Sequence, residues 1–204
     1  MDIRQRILDA ARRVYAQHGF RGATTRLIAT EANVNEVTLF RTFGSKSALF
    51  ECMLEWQATE SPMPRLPLRP VDPAAEMTEW CATVLRYMRE HRALLRKGFG
   101  EMEDRPDAAA SMCNGANGAS MMLVEYARAL QEDGLAEPDA DTQTAAAMLI
   151  SSMFGDAISR DVMPHAFPEP VEEAPVRYVR VFLRALGVKA TKRRAAVSRS
   201  VSTA

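Results

Sequence analysis

The sequence predicts an all-α fold of about nine helices, a small N-terminal three-helix unit followed by a larger helical body. Three observations carry that expectation. Apolar residues recur three and four positions apart along most of the 204 residues, the spacing of one buried helical face. No stretch alternates apolar and polar residues as a half-buried strand requires. Residues 24–46, TTRLIATEANVNEVTLFRTFGSK, crowd three helix starts into a short span, whereas the remaining helices are long.

The first helix places Ile3, Ile7, Leu8, Ala11, Val14 and Tyr15 on one face. It stops at His18-Gly19, because glycine takes the left-handed exit without steric cost. Thr24-Thr25 starts a second helix, since a threonine hydroxyl accepts a bond from an otherwise unpaired N–H of the first turn. That helix ends near Ala32. Asn33 suits a left-handed turn, and Asn35 caps a third helix running to about Thr42. Gly44-Ser45 ends it and caps a fourth, from Lys46 to about Thr59. Residues 61–73 hold five prolines and form a loop.

From Ala74 the helical period returns, with Met77, Trp80, Cys81, Val84, Leu85 and Met88 in one stripe. Leu94, Leu95, Phe99 and Met102 mark a further segment. Residues 107–132 are helical, with a kink or break expected at Gly115 and Gly118, each costing about 1 kcal/mol relative to alanine. A helix from about 138–141 to Met163 and one at about 171–186 close the body. The boundaries expected are 1–46, 47–187 and a basic tail, 188–204, too poor in apolar residues to fold.

Residues 24–43 have the layout of a helix-turn-helix. Ala29 lets the two helices approach, Val34 plugs the turn, and Ile28, Leu39 and Phe40 bury against the first helix. Asn35, Glu36, Val37, Thr38, Arg41 and Thr42 are left for the outer face of the second helix, the face that enters a major groove in this motif. Charge is distributed to match. Residues 1–50 carry a net +4, residues 51–186 a net −9 and the tail +5, within a chain of zero net charge. A basic N-terminal unit can attract phosphate while the acidic body keeps the chain off random DNA.

The segment ILDAARRVYAQHGFRGATTRLIATEANVNEVTLFRTFGSKSALF, residues 7–50, resembles the N-terminal domain of the TetR family of bacterial transcriptional regulators. The matching features are ILDAA with a following GF, T-x-R-x-IA, A-x-V-x-x-x-TLF and F-x-SK-x-AL. The resemblance implies a homodimer that binds near-palindromic double-stranded DNA in the bacterial cytoplasm. It implies a repressor, released by a small effector held in the larger domain. Thr24, Thr25 and Arg26 would then lie where the first helix of the motif crosses the DNA backbone, and Lys46 would reach a phosphate from the fourth helix. The chain departs from the family at Asn33, Asn35, Glu36 and Val37, and at Arg41 and Thr42. A carboxylate at Glu36 repels phosphate. It can instead accept from cytosine N4, pair with Arg41, or face solvent.

The larger domain is rich in soft side chains suited to an apolar effector. Trp56, Trp80, Val84, Met88, Phe99, Met102, Met122 and Tyr126 are the candidate pocket residues, with an ordinary helical core as the competing reading. Met148, Ser152, Val179 and Phe182, on the two apolar C-terminal helices, are the candidate dimer interface, with burial inside one subunit as the alternative. No metal spacing, cofactor motif or nucleophile constellation stands out, which argues against an enzyme. Cys52, Cys81 and Cys113 are too scattered for a disulfide framework, and no apolar run reaches membrane-spanning length. A helical carrier of apolar small molecules would explain the body but not residues 24–46.

Overall fold

A computed structural model describes residues 2–60, 64–103 and 106–188, with side chains at all of these except 58–60, 106–114 and 116. Among the described residues there are nine α-helices and no strand. They are α1 (Ile3–Gly22), α2 (Thr25–Glu31), α3 (Glu36–Phe43), α4 (Lys46–Glu60), α5 (Pro73–Glu90), α6 (Arg92–Gly100), α7 (Pro106–Glu132), α8 (Thr142–Ser159) and α9 (Ala174–Ala185).

The chain folds around two buried clusters. One gathers Ile7, Leu8, Ala11 and Val14 of α1, Ile28 of α2, Leu39 and Phe43 of α3, and Leu49, Phe50 and Met53 of α4. The other joins α5, α7, α8 and α9 through residues such as Met77, Leu85, Leu123, Met153 and Leu183. Helix α4 feeds the first cluster and also packs against α7. Helix α6 bridges as well, touching α1 on one side and α8 on the other.

Caps decide most of the boundaries. Asp2 and Gln5 form a reciprocal capping box at the start of α1, which satisfies two orphan donors at once. Asp72 caps α5 through the Ala75 N–H, and Asp141 caps α8 through the Thr144 N–H. Gly19 breaks α1 as expected, with φ 67° and ψ 179°, but three more residues resume a turn, so α1 reaches Gly22. Two ends differ from the expected ranges. Helix α8 stops at Ser159 rather than near Met163, and residues 171–173 form a 3-10 turn before α9.

The break expected at Gly115–Gly118 is absent, since α7 runs unbroken from Pro106 to Glu132. Both glycines are exposed, while Ala119, Leu123, Tyr126, Ala127 and Leu130 of the same helix are buried. Packing along that inner face overrides the local helix cost. The basic tail lies, from residue 189 on, outside the described residues.

Candidate nucleic-acid interface

The turn between α2 and α3 is tight and held from three sides. Thr24 caps α2, its hydroxyl accepting from the Leu27 N–H at 3.2 Å. Asn33 takes the left-handed conformation, φ 53°, and the Val34 N–H returns to the Ala29 carbonyl at 3.0 Å. Asn35 caps α3 by accepting from the Val37 N–H at 2.8 Å. Arg6 of α1, a residue the motif alone did not single out, donates to the carbonyls of Ala32 at 2.7 Å and Asn33 at 3.0 Å. The turn is thereby fixed to α1, so α3 is held out at one angle. A helix read by another molecule needs that rigidity.

Packing sets the outer face of α3. Leu39 and Phe43 turn inward, and Val37 is 72% exposed. Phe40 is 44% exposed rather than buried as expected, and Phe43 takes the inward place. The two aromatics stand three positions apart, almost one turn, and sequence spacing does not decide between them. Arg41 and Thr42 are exposed and Thr38 half-buried. The Thr42 hydroxyl donates to the Thr38 carbonyl at 2.8 Å. Thr24 and Arg26 are exposed on α2.

Glu36 has a partner that the sequence did not suggest, and it is half-buried rather than open to solvent. Its Oε1 accepts from the Thr25 hydroxyl at 2.5 Å, and among the described residues it forms no ion pair with Arg41. The contact ties the first turn of α2 to the first turn of α3. Thr25 is half-buried by it and Asn35 is committed to its cap, so Val37, Arg41 and Thr42 form the open part of the face.

Lys46 has contacts within the chain. Its ammonium donates to the Phe20 carbonyl and lies 4.3 Å from the centre of the Phe20 ring. It is folded against the end of α1.

The larger cluster holds a buried charge. Asp156 of α8 is fully enclosed. It accepts from Arg89 Nη2 at 2.9 Å, Arg160 Nε at 2.7 Å, Arg160 Nη2 at 2.5 Å and the Tyr178 hydroxyl at 2.8 Å. Burial pushes its carboxyl up, but the bonds from Arg160, Arg89 and Tyr178 outweigh that and hold it below the ordinary carboxylate range. Nearby, burial and the Asp156 charge push the Cys81 thiol up to about 12. It is a protonated core residue, its Sγ 3.6 Å from Met153 Sδ.

The eight candidate pocket residues do not converge. Trp80, Val84, Met88 and Tyr126 are buried together in the larger cluster, and Met122 packs on it. Trp56 packs on the N-terminal cluster. Phe99 is 59% exposed beside Phe154, their ring centres 5.5 Å apart, and Met102 is half-buried. The Trp80 Nε1–H is buried and has no hydrogen-bond partner among the described residues. The Tyr126 hydroxyl donates to Glu76 at 2.5 Å. Cys113 lies outside the described side chains.

The candidate interface residues also divide. Met148, 59% exposed, and Ser152 open onto a groove of about 280 Å³ between α8 and α9, lined also by Arg177 and Val181. Val179 is only 2% exposed and packs in the subunit's own core. Phe182 is buried in that core and floors the groove. Helix α9 is amphipathic, so Val176 and Val181, not Val179, lie on its outer face.

A family model described as bacterial regulatory proteins, tetR family, matches residues 7–53, the segment that builds the N-terminal cluster. Through that segment the chain is similar to the tetR family of bacterial regulatory proteins. It is 27% identical over 156 residues to the HTH-type transcriptional regulator YvkB of Bacillus subtilis, a match covering 76% of this chain and 82% of that one. It is 34% identical over 96 residues to the HTH-type transcriptional repressor SCO4008 of Streptomyces coelicolor, 47% of each chain. Among solved structures, Salmonella enterica GusR superposes with a TM-score of 0.72 at 24% identity, covering 91% of this chain and 95% of that one. The matched segment is the helix-turn-helix, and these relatives are named as transcriptional regulators. No described helix is long and apolar enough to cross a membrane.

Proposed function

We propose that the chain is a repressor that binds a near-palindromic operator as a homodimer and leaves it when a small, largely apolar effector binds the larger domain. The observation that carries this reading is the outer face of α3. Val37, Arg41 and Thr42 stand exposed on a short helix whose angle is fixed by the Arg6 and Thr25–Glu36 contacts. In the reading, Arg41 takes guanine or phosphate and Val37 meets thymine methyls. Thr24, Arg26, Asn35 and Thr38 border the backbone, Thr25 and Glu36 position the two helices, and Lys46 joins a phosphate by leaving Phe20.

The domain boundary falls within α4, with residues 1–46 as the reading unit and 47–187 as the body. The body takes the effector beside Trp80, whose unpartnered Nε1–H can meet one polar group of an otherwise apolar molecule. The α8–α9 groove, with Met148, Ser152, Val181 and the floor of Phe182, is the seam of the dimer. Relatives named as repressors, SCO4008 among them, favour repression.

The test is binding to the chain's own upstream DNA by fluorescence anisotropy, wild type against Arg41→Ala. The reading expects a loss of about tenfold or more in specific affinity, since one good bidentate base contact contributes about 1–3 kcal/mol, with little change on scrambled DNA. Equal loss on both sequences would make Arg41 a phosphate contact only. Unchanged affinity would remove α3 as the reading helix.

A further inference from the structure

Helix α6 ends on a carboxylate that reaches into the N-terminal unit. Glu101, the residue after α6, accepts from the Phe20 N–H with Oε1 at 2.8 Å and from the Tyr15 hydroxyl with Oε2 at 2.8 Å. Both partners lie more than eighty positions earlier in the chain. The contact falls on the Gly19 break in α1. Gly19 has φ 67°, and a Cβ there would stand 2.5 Å from Glu101 Oε1. The glycine therefore serves two needs at once, the left-handed backbone and room for the carboxylate. From Phe20 the contacts run on: its carbonyl and ring hold Lys46 at the start of α4, and its ring meets Phe50 edge-on at 5.0 Å.

The middle of α6 is tied to the body. Arg96 Nε donates to the Ile158 carbonyl of α8 at 2.6 Å, and its guanidinium pairs with Asp161. Helix α6 is thus fastened to α8 by a guanidinium and to α1 by a carboxylate. Any shift of α8 that carries α6 along pulls on the peptide that seats Lys46, the residue two positions beyond the end of α3's cap.

We infer that Glu101 is the positioning residue through which the body sets the state of the DNA-reading unit. It fixes the Gly19–Phe20 turn and, through Phe20, Lys46. The inference rests on the regulator reading above. It also makes a claim that needs no effector: coupling is reciprocal, so DNA bound at α3 must be felt in α6.

The experiment is amide hydrogen exchange of the full-length protein with and without its own upstream duplex, comparing wild type, Glu101→Ala, Glu101→Gln and Tyr15→Phe. Without DNA, Glu101→Ala speeds exchange at 19–24 and 46–50 several-fold and leaves the α5–α8–α9 core as in wild type. Glu101→Gln, which can still accept from Phe20, shows a smaller change, and Tyr15→Phe lies between. With DNA, wild type gains protection across 92–101, Glu101→Ala loses that response, and its operator affinity falls at least fivefold.

Unchanged exchange at 19–24 and 46–50 in Glu101→Ala would overturn the positioning role. So would an α6 response to DNA that survives the substitution. Loss of core protection in Glu101→Ala would hand the decision to Glu101→Gln, which then must show the same local change and DNA response of intermediate size or the role fails. If wild type prefers no DNA, the regulator reading fails and the coupling to DNA fails with it. The exchange at 19–24 then still decides whether Glu101 holds the turn.

Discussion

Asp156 shows how much one buried side chain can hold. Its carboxylate collects four hydrogen bonds from α5, α9 and its own helix. Removing one partner of a buried ionic group leaves the others uncompensated. Asp156→Asn is expected to destabilise the fold by about 3 kcal/mol, read as the shift in a urea unfolding midpoint. The folded carboxyl lies below its ordinary value. Its stabilisation is therefore complete above the unfolded pKa, about 3.9, and is lost as pH falls through the folded value. Unfolding between pH 5 and 2 is expected to be less steep in Asp156→Asn than in wild type. An equal slope would place the acid sensitivity elsewhere. Glu101 and Arg6 belong to the same scale and were not legible in the sequence. Their partners stand 81 and 26 positions away, and a lone charged residue on a helix carries no mark of a distant backbone target. The Glu36 contact is hidden for the same reason, since its partner Thr25 sits in a different helix.

Elements were largely written in local chemistry. Thr24, Asn33, Asn35, Gly44, Asp72 and Asp141 act at helix ends through bonds or dihedral angles their side chains favour anywhere, so the helix starts could be placed from sequence. Interior glycines misled, because packing of the opposite face outweighs a local cost of about 1 kcal/mol. Helix α7 turns that into a test. Gly115 and Gly118 have negative φ, and among the described residues a Cβ at either would meet nothing within 4 Å. Gly115→Ala and Gly118→Ala are each expected to stabilise by about 0.4–1 kcal/mol, measured by chemical denaturation. Gly19→Ala is the opposite case. Its left-handed φ and the approach of Glu101 predict a loss of at least about 1 kcal/mol and faster exchange at 19–24. A stabilised Gly19→Ala would contradict the geometry of that turn.

The whole molecule is two clusters joined by α4 and α6, and the segment that matches the tetR-family model builds the first of them. The candidate reading face was legible because a helix-turn-helix is local: residues 24–43 hold nearly all its spacing rules. The candidate pocket and dimer seam were not, because apolar periodicity marks what is buried without saying against what. Phe99, Val179 and Phe182 show the difference. The dimer proposal is checked by Met148→Glu with Val181→Glu, which put two carboxylates into the α8–α9 groove. Sedimentation is expected to show monomers at micromolar concentration, with operator affinity lost because two half-sites are no longer read together. A dimer that survives both changes would move the seam to another face.

The central claim, that α3 reads DNA sequence, is tested most directly by titrating the wild-type protein onto its own upstream duplex and onto a scrambled one, by anisotropy over a series of salt concentrations. The account predicts saturable binding at least a hundredfold tighter to the upstream duplex, with affinity for both duplexes falling linearly in the logarithm of salt as phosphate contacts release counterions. Equal, weak binding to both duplexes would contradict it at this site, and affinity indifferent to salt would show that the basic N-terminal unit does not meet the DNA backbone at all.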